Sequence, residues 1–385
     1  DELINAKGIF DLPPDIEEQI AGYCIQDVDL THALYSRMQP SYPQSELDLI
    51  DLTCRMFVEP KLVLNRPLLI AHKEAVAEDT VQKIQASGLT REQLASQKQF
   101  AEYLESIDIT VPTKKSPRTG EMIPAFSKTD AAYTQMCNMY PQYKHIWDAR
   151  EAVKSRIEET RAQRLLEGCT TQNTLPVPLK YYAAHTGRFG GSEKINLQNL
   201  PRGSKLRNAL QAGPGETLYV ADLSNIEARM LAWLAREQDL LDSFALGEDV
   251  YSNFASQIYN RLITKNDKLE RYVGKTAILG LGYGMGANKY KAVLAQGSPA
   301  IDVTQSTALG IVSQYRAMYP NIPQLWAIGK QLLFYMLDQT SSSYSYGPLQ
   351  VASNALKLPN GMYLQYPKLR YSGGEFVYDS GRTGI

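Results

Sequence analysis

The apolar positions along this chain change period several times. From Ile16 to Met38 they recur at helical spacing, and Pro43 and Pro60 bracket a second, shorter helix. From about residue 65 to 175 long polar helices dominate, interrupted by VPTKKSPRTGEMIPAF (Val111 to Phe126). A β-prone apolar run, Thr217 to Val220, predicts a strand that delivers Asp222 to its end, with a helix following at once. In RYVGKTAILGLGYGMG, Arg271, Lys275, Leu279 and Tyr283 stand four residues apart. On a helix each such step drifts by only about 40°, so the four side chains form one oblique stripe running from charged to apolar. LKLPNGMYLQYPKLRYSG reads as a hairpin turning at Asn360-Gly361. No apolar run reaches transmembrane length, and there is no internal repeat.

Composition changes this picture mainly through the placement of charge. At 385 residues the chain is long enough for two or three domains, and its net charge of −1 does not announce a nucleic-acid binder. Residues 1–60, however, carry 3 Lys/Arg against 12 Asp/Glu, whereas residues 112–207 carry 16 against 8. The result is an acidic N-terminal piece and a basic middle suited to phosphate backbones, although solvated helix faces alone could give the same asymmetry. The four cysteines are far apart without CxxC spacing, which indicates neither a zinc site nor a disulfide framework and fits a reducing cytoplasm. The acidic start DELINAKG is no signal peptide, and no membrane partner is expected.

Three stretches carry candidate chemistry. The Arg271–Tyr283 stripe supplies cations for phosphates and an apolar or aromatic wall for a base and sugar; a solvated amphipathic helix is the plainer alternative. Asp222 at a strand end is a natural metal ligand, but it could equally be a turn residue, and Ser224-x-x-Glu227 could be a helix capping box. HTGRFGGSEKINLQNLPR (His185 to Arg202) packs Arg188, Asn196, Gln198 and Asn199 into a Gly-rich stretch. Such side chains donate to minor-groove acceptors and phosphates without demanding a base, or they stabilise their own loop. The glycines of GLGYGMG end a helix rather than open one, which argues against a phosphate loop. Arg150, Lys154, Arg156, Arg161 and Arg164 recur at helical spacing as candidate phosphate contacts or as a solvated face.

Taken in order, TGR…NLQNLPR, DLSNIEAR and RxxxKxxxLxxxYG resemble the polymerase domain of family A, the DNA polymerase I family, with wording closest to its bacteriophage members. The resemblance implies an α+β, right-hand fold of palm, fingers and thumb, preceded by the tail of a 3′-5′ exonuclease-like domain. It implies template-directed addition of deoxynucleotides to a primer, with primer-template DNA and deoxynucleoside triphosphates as partners and two Mg²⁺ ions, or Mn²⁺, as cofactors. Asp222, with the Leu223 carbonyl, is similar to the metal-binding aspartate, and Glu227 to the gate that crowds a ribose 2′-hydroxyl. Arg271 and Lys275 resemble the triphosphate ligands and Tyr283 the tyrosine near the templating position. Arg188 resembles the arginine reading the minor groove at the primer end. By the same resemblance Asn196, Gln198, Asn199 and Arg202 belong to the adjoining duplex-binding strip, and by position and basic character Lys154 and Arg164 are candidate duplex contacts in the expected thumb. Tyr23 and Asp27 resemble the third exonuclease motif. The implied domains are 1–45 exonuclease tail, 46–174 thumb, 175–235 palm, 236–345 fingers and 346–385 a hairpin returning toward the palm.

The chain departs from the family pattern in three places. Leu279, at a nucleotide-binding place of the resemblance, stands where the best-known members have Phe or Tyr, which weakens stacking on the incoming nucleotide. Tyr251 stands where many have a phosphate-binding His, and as a nucleotide-binding residue it can still donate a hydrogen bond but brings no positive charge. No His-Asp-Glu tripeptide occurs, and the chain stops at GRTGI before the place where that motif would fall, so a fragment is expected. A single-subunit RNA polymerase is a rival that Glu227 argues against, and a DNA-binding fragment without catalysis is another. If the protein is phage-encoded, its setting is the cytoplasm of the bacterial host.

Overall fold

The computed structural model describes residues 11–116, 119–127, 130–297, 299–337 and 344–379. DELINAKG at the start, GRTGI at the end and Pro117-Arg118 within the basic interruption therefore lie outside the described residues. Helix α1 spans Pro14–Met38, where the helical spacing from Ile16 to Met38 predicts it, and α2 spans Gln44–Val58, between Pro43 and Pro60. Strand β1 is Leu62–Leu64, and α3 (Arg66–Ser87) follows it. The α3 start is fixed by the Asn65 side chain, which accepts from the Leu68 N–H at 3.1 Å, and its end by Gly88 in the left-handed region. Next come α4 (Arg91–Ala95), opened by a Thr90/Gln93 capping box, and α5 (Gln97–Ser106). Hairpin strands β2 (Thr113–Lys115) and β3 (Met122–Pro124) then precede α6 (Ala131–Met139), α7 (Lys144–Lys154) and α8 (Ile157–Glu167).

Strands β4 (Thr174–Leu175) and β7 (Leu210–Gln211) flank β1 in an antiparallel sheet, with registers Leu62↔Leu175 and Leu64↔Leu210. Between them lie the β5 (Leu179–Lys180)/β6 (Gly190–Gly191) pair and α9 (Lys205–Asn208). The helical body that follows comprises α10 (Ile226–Ala235), α11 (Gln238–Ala245), α12 (Val250–Tyr259), α13 (Lys268–Leu281), α14 (Ala287–Ala295), α15 (Gln305–Met318) and α16 (Asn321–Leu337). A meander closes the chain: β8 (Ser345–Tyr346), β9 (Leu349–Ala352), β10 (Ala355–Lys357) and β11 (Tyr363–Gln365), then the pair β12 (Arg370–Ser372) and β13 (Glu375–Val377). The turn between β10 and β11 falls at Asn360-Gly361, with Gly361 at φ 85°. Among the described residues no helix is long and apolar enough to cross a membrane.

Four buried clusters hold these elements. Leu64, Leu69, Leu165, Leu175 and Leu206 pack the β1 sheet against α3 and α8. Leu94, Phe100, Leu104, Ile146 and Trp147 fill the unit of α4 to α7, where Phe100 meets Phe126 edge-on at 5.1 Å. Phe254, Ile278, Tyr290 and Tyr315 centre the helical body. Leu332, Met336, Val351 and Leu356 join α16 to the meander. In the helical body α12 and α13 touch so closely that a Cβ on Gly274 would stand 2.3 Å from the Tyr251 carbonyl oxygen, which only glycine permits.

Three expectations are corrected. Thr217–Val220 is not a strand: nothing among the described residues pairs with it, and Tyr219 is 90% exposed. β-propensity needs a ladder partner to be realised, and a short apolar run without one stays single. The Ser224 capping box is also absent, because α10 starts one residue later, with Asn225 at φ 56° in the N-cap position. Arg150 is no phosphate contact. It is 2% exposed, donating to the carbonyls of Leu94 and Ser96 while its guanidinium lies over the rings of Phe100 and Phe126. Helical spacing gives the angle of a residue on its helix but not what covers that face.

Candidate active site

Helix α13 carries the stripe. Its start lies at Asp267 and its end at Gly282, whose carbonyl accepts from the Trp326 indole at 3.1 Å; Gly284 at φ 75° then turns the chain into α14. Val273, Ala277, Ile278 and Leu281 face the core, which leaves the stripe on the opposite side. Lys275, Leu279 and Tyr283 line a single cavity of about 520 Å³ together with Tyr272, Met285 and Lys289. Neither Lys275 nor Lys289 has a hydrogen-bond or ion-pair partner among the described residues, so both are free to meet an anion.

Arg271 is differently placed. Its Nε and Nη2 donate to the two Asp249 oxygens at 2.6 and 3.1 Å, a bidentate pair at the start of α12. Burial pushes the Asp249 carboxyl up, but the Arg271 and Ser252 hydrogen bonds outweigh it and hold the group below its ordinary value. The Arg271 guanidinium also lies 5.3 Å from the centre of the Tyr251 ring. Tyr251 itself is 8% exposed, and its hydroxyl donates to Asn225 Oδ1 at 2.5 Å.

A second cluster joins stretches far apart in sequence. Arg188 Nη2 donates to Glu227 Oε1 at 2.7 Å, so the TGR loop touches the first turn of α10. Tyr283 completes the group: partial burial of its hydroxyl and the Glu227 carboxylate push the phenol up, while Arg188 pulls it down. The pair is solvent-exposed, so its value lies in geometry rather than stability. His185 steadies the same loop, stacked on Tyr378 at 5.5 Å and edge-on to Tyr366 at 5.4 Å.

The residues of the stretch from Asn196 to Arg202 differ in what they touch. Asn196 accepts from the Gln198 N–H at 3.1 Å and caps its own turn, and a Cβ on Gly191 would meet it at 2.6 Å. Gln198, Asn199 and Arg202 are exposed. From α8, Arg164 and Arg161 donate to the carbonyls of Lys194 and Asn199, each at 3.3 Å, which brings two cations beside this loop. Lys154 is exposed at the end of α7, and Arg156 pairs with Glu159. Tyr23 and Asp27 are exposed one turn apart on α1, a helix with no buried residue.

Asp222 is exposed and has no hydrogen-bond or ion-pair partner among the described residues. The neighbouring Leu223 carbonyl accepts from the Ile226 N–H at 3.2 Å, leaving one lone pair. A carboxylate beside a carbonyl is a hard oxygen donor set of the kind that suits Mg²⁺ or Mn²⁺. Among the described residues no cluster of three or more His, Cys, Asp or Glu side chains surrounds it.

Sequence reasoning missed three members of this site: Asn225, Asp249 and Lys289. Lys289 could have been found, since it stands one turn beyond the glycines that reverse α13 into α14; the other two gave no local signal.

The fold is that of a right-hand polymerase. A solved structure, the polymerase domain of Pol1 from M. smegmatis in complex with DNA primer-template and dNTP, matches 74% of this chain and 48% of its own with a TM-score of 0.55 at 22% identity. The sequence profile of DNA polymerase family A matches residues 69–331, and the chain belongs to that family. DNA polymerase I of Pseudomonas aeruginosa is 27% identical over 324 residues, covering 79% of this chain and 34% of that protein. The DNA polymerase of Bacillus phage SP02 is 24% identical over 365 residues, covering 84% and 53% respectively. The chain thus spans about a third to about half the length of these two relatives.

Proposed function

We propose that this chain carries the nucleotide- and primer-binding part of a template-directed DNA polymerase, which extends a primer 3′ end by two-metal phosphoryl transfer in phage replication. The observation that carries this reading is the assembly of Arg188, Glu227 and Tyr283 from three separate stretches beside the cavity of Lys275 and Leu279. In it, residues 46–174 form the thumb, 175–235 the first part of the palm, 236–345 the fingers and 346–385 a return toward the palm, with 1–45 an exonuclease-like tail in which Tyr23 and Asp27 keep their motif spacing. The whole acts in the cytoplasm of a bacterial host.

Lys275 neutralises the triphosphate at the cavity mouth, and Arg271 adds the donors that Asp249 leaves free. Leu279 packs on the sugar and base, and Tyr283 closes the far end near the templating base. Glu227, pinned by Arg188, crowds the 2′ side of the sugar and favours deoxynucleotides. Arg188 in turn marks the primer end, while Gln198, Asn199, Arg202, Arg164 and Lys154 follow the duplex backbone. Asp222 and the Leu223 carbonyl would hold Mg²⁺, which when bound lowers the pKa of the primer hydroxyl and offsets charge on the phosphates.

The test is extension of a primed DNA template by the intact gene product, supplied with Mg²⁺ and either deoxy- or ribonucleotides. Deoxynucleotide-selective extension is expected. A preference for ribonucleotides would favour an RNA polymerase, and the absence of any incorporation would refute the reading.

A further inference from the structure

By resemblance Tyr251 stands where many family members carry a phosphate-binding histidine, yet its hydroxyl is engaged by Asn225. The side chain is 8% exposed, and its hydroxyl donates to Asn225 Oδ1 at 2.5 Å. Burial pushes the phenol up, so it remains a donor at neutral pH. One face of the ring carries the Arg271 guanidinium, 5.3 Å from the centroid, and Asp249 fixes that guanidinium from the side with two hydrogen bonds. Ser252 Oγ donates to Asp249 Oδ2 at 2.9 Å and closes the set.

The other end of this chain of contacts is the start of α10. Asn225 holds φ 56°, a left-handed conformation that asparagine tolerates but that needs support, and its own side chain does not cap the helix. Its Oδ1 instead receives the Tyr251 hydroxyl. Two residues on stands Glu227, bound to Arg188 and close to Tyr283. Across a tight α12–α13 contact at Gly274, Tyr251 therefore links the residue that sets the α10 start to the helix that carries Arg271, Lys275 and Leu279.

We propose that Tyr251 is a positioning residue and not a triphosphate ligand: through Asn225 it sets the Glu227 side of the nucleotide pocket against the Arg271 side. This rests on the polymerase reading above. A phosphate ligand acts on every nucleotide alike, whereas a group that sets the position of Glu227 acts on the choice between sugars. The two roles are therefore separable.

The experiment is Tyr251→Phe, which deletes only the hydroxyl, with Asn225→Gly and the double variant, all in the intact gene product. Incorporation of deoxy- and ribonucleotides on a primed template gives the first readout. Discrimination against the ribonucleotide is expected to fall about five-fold, the scale of one hydrogen bond, with the deoxynucleotide KM within about two-fold of the parent. In the Asn225→Gly background the Phe substitution should have no further effect. A parallel rise in KM for both nucleotides with discrimination intact would make Tyr251 a ligand and overturn the proposal, as would no change in either. Thermal melting of the same four proteins is the second readout and needs no activity. Coupled losses support the Tyr251–Asn225 link, and strictly additive losses refute it. A parent protein that incorporates nothing would count against the polymerase reading, and the melting cycle would still decide the contact.

Discussion

Arg150→Ala separates the roles that helical spacing and packing assign to one residue. Arg150 is buried, bonded to two backbone carbonyls where α4 meets α5, and covered by Phe100 and Phe126 at 4.2 and 4.9 Å. A charged donor contributes about 1.5–3 kcal/mol per hydrogen bond, and a desolvated cation–π contact about 0.5–2 kcal/mol. Against this stands the cost of burying a guanidinium without a carboxylate, which already pulls the Arg150 pKa down. With the Leu94 carbonyl losing its guanidinium donor, the Ser96 carbonyl keeping only the Phe100 N–H at 3.2 Å, and a cavity opened among Phe100, Phe126 and Trp147, the net loss should be about 3 kcal/mol. For a unit the size of α4 to α7 that corresponds to a melting shift of roughly 12–24 °C. Trp147, whose ring lies 6.4 Å from that of Phe100, reports the unit by fluorescence once Trp233 and Trp326 are replaced by Phe in parent and variant alike. Both carbonyl bonds come from the single nitrogen Nη1, so Arg150→Lys should restore part of the hydrogen bonding but not the planar stacking on Phe100 and Phe126. DNA affinity measured against salt should keep its slope. An unchanged melting temperature together with a slope reduced by about 0.9 would mean that Arg150 contacts a phosphate and that its burial here is wrong.

Two further outcomes follow from the contacts of α13. The Asp249–Arg271 pair holds the Asp249 pKa below its ordinary value of 3.8 in the fold, so its stabilisation is fully present above that value and lost as pH falls through the lowered folded pKa. Asp249→Asn should therefore destabilise at pH 6–7 by about 1–2 kcal/mol, with the gap to the parent closing in acid melts below about pH 4; a gap independent of pH would refute the pairing. Lys275→Ala should raise the deoxynucleotide Kd at least about ten-fold with DNA affinity nearly unchanged, and an unaltered nucleotide titration would return α13 to an ordinary solvated helix.

What was legible in the sequence was local. The Lys275–Leu279–Tyr283 part of the stripe, the periodic helix from Ile16 to Met38, the helix bracketed by Pro43 and Pro60 and the Asn360-Gly361 turn each follow from periodicity or turn chemistry within one element, whereas Arg271 leaves the stripe for Asp249. What was not legible depended on partners. Thr217–Val220 has strand propensity and no ladder, Arg150 has helical spacing and a covered face, and Ser224 loses its cap to a left-handed Asn225. The site contacts themselves cross 39 residues from Arg188 to Glu227, 26 from Asn225 to Tyr251 and 22 from Asp249 to Arg271. No pattern within a single element announces such pairs. They become visible only once α10, α12 and α13 are packed together.

The central claim is that Asp222 anchors metal-dependent primer extension, and Asp222→Asn tests it most directly. The intact gene product and its variant are compared on one primed template by single-turnover extension with Mg²⁺, alongside a duplex-binding titration. Extension should fall more than about a hundredfold, several kcal/mol of transition-state stabilisation, while duplex affinity stays within about two-fold, because Asp222 is exposed and has no hydrogen-bond or ion-pair partner among the described residues. A variant that extends at near-parental rate would contradict the account, and one that loses extension only because it no longer binds DNA would contradict it as well.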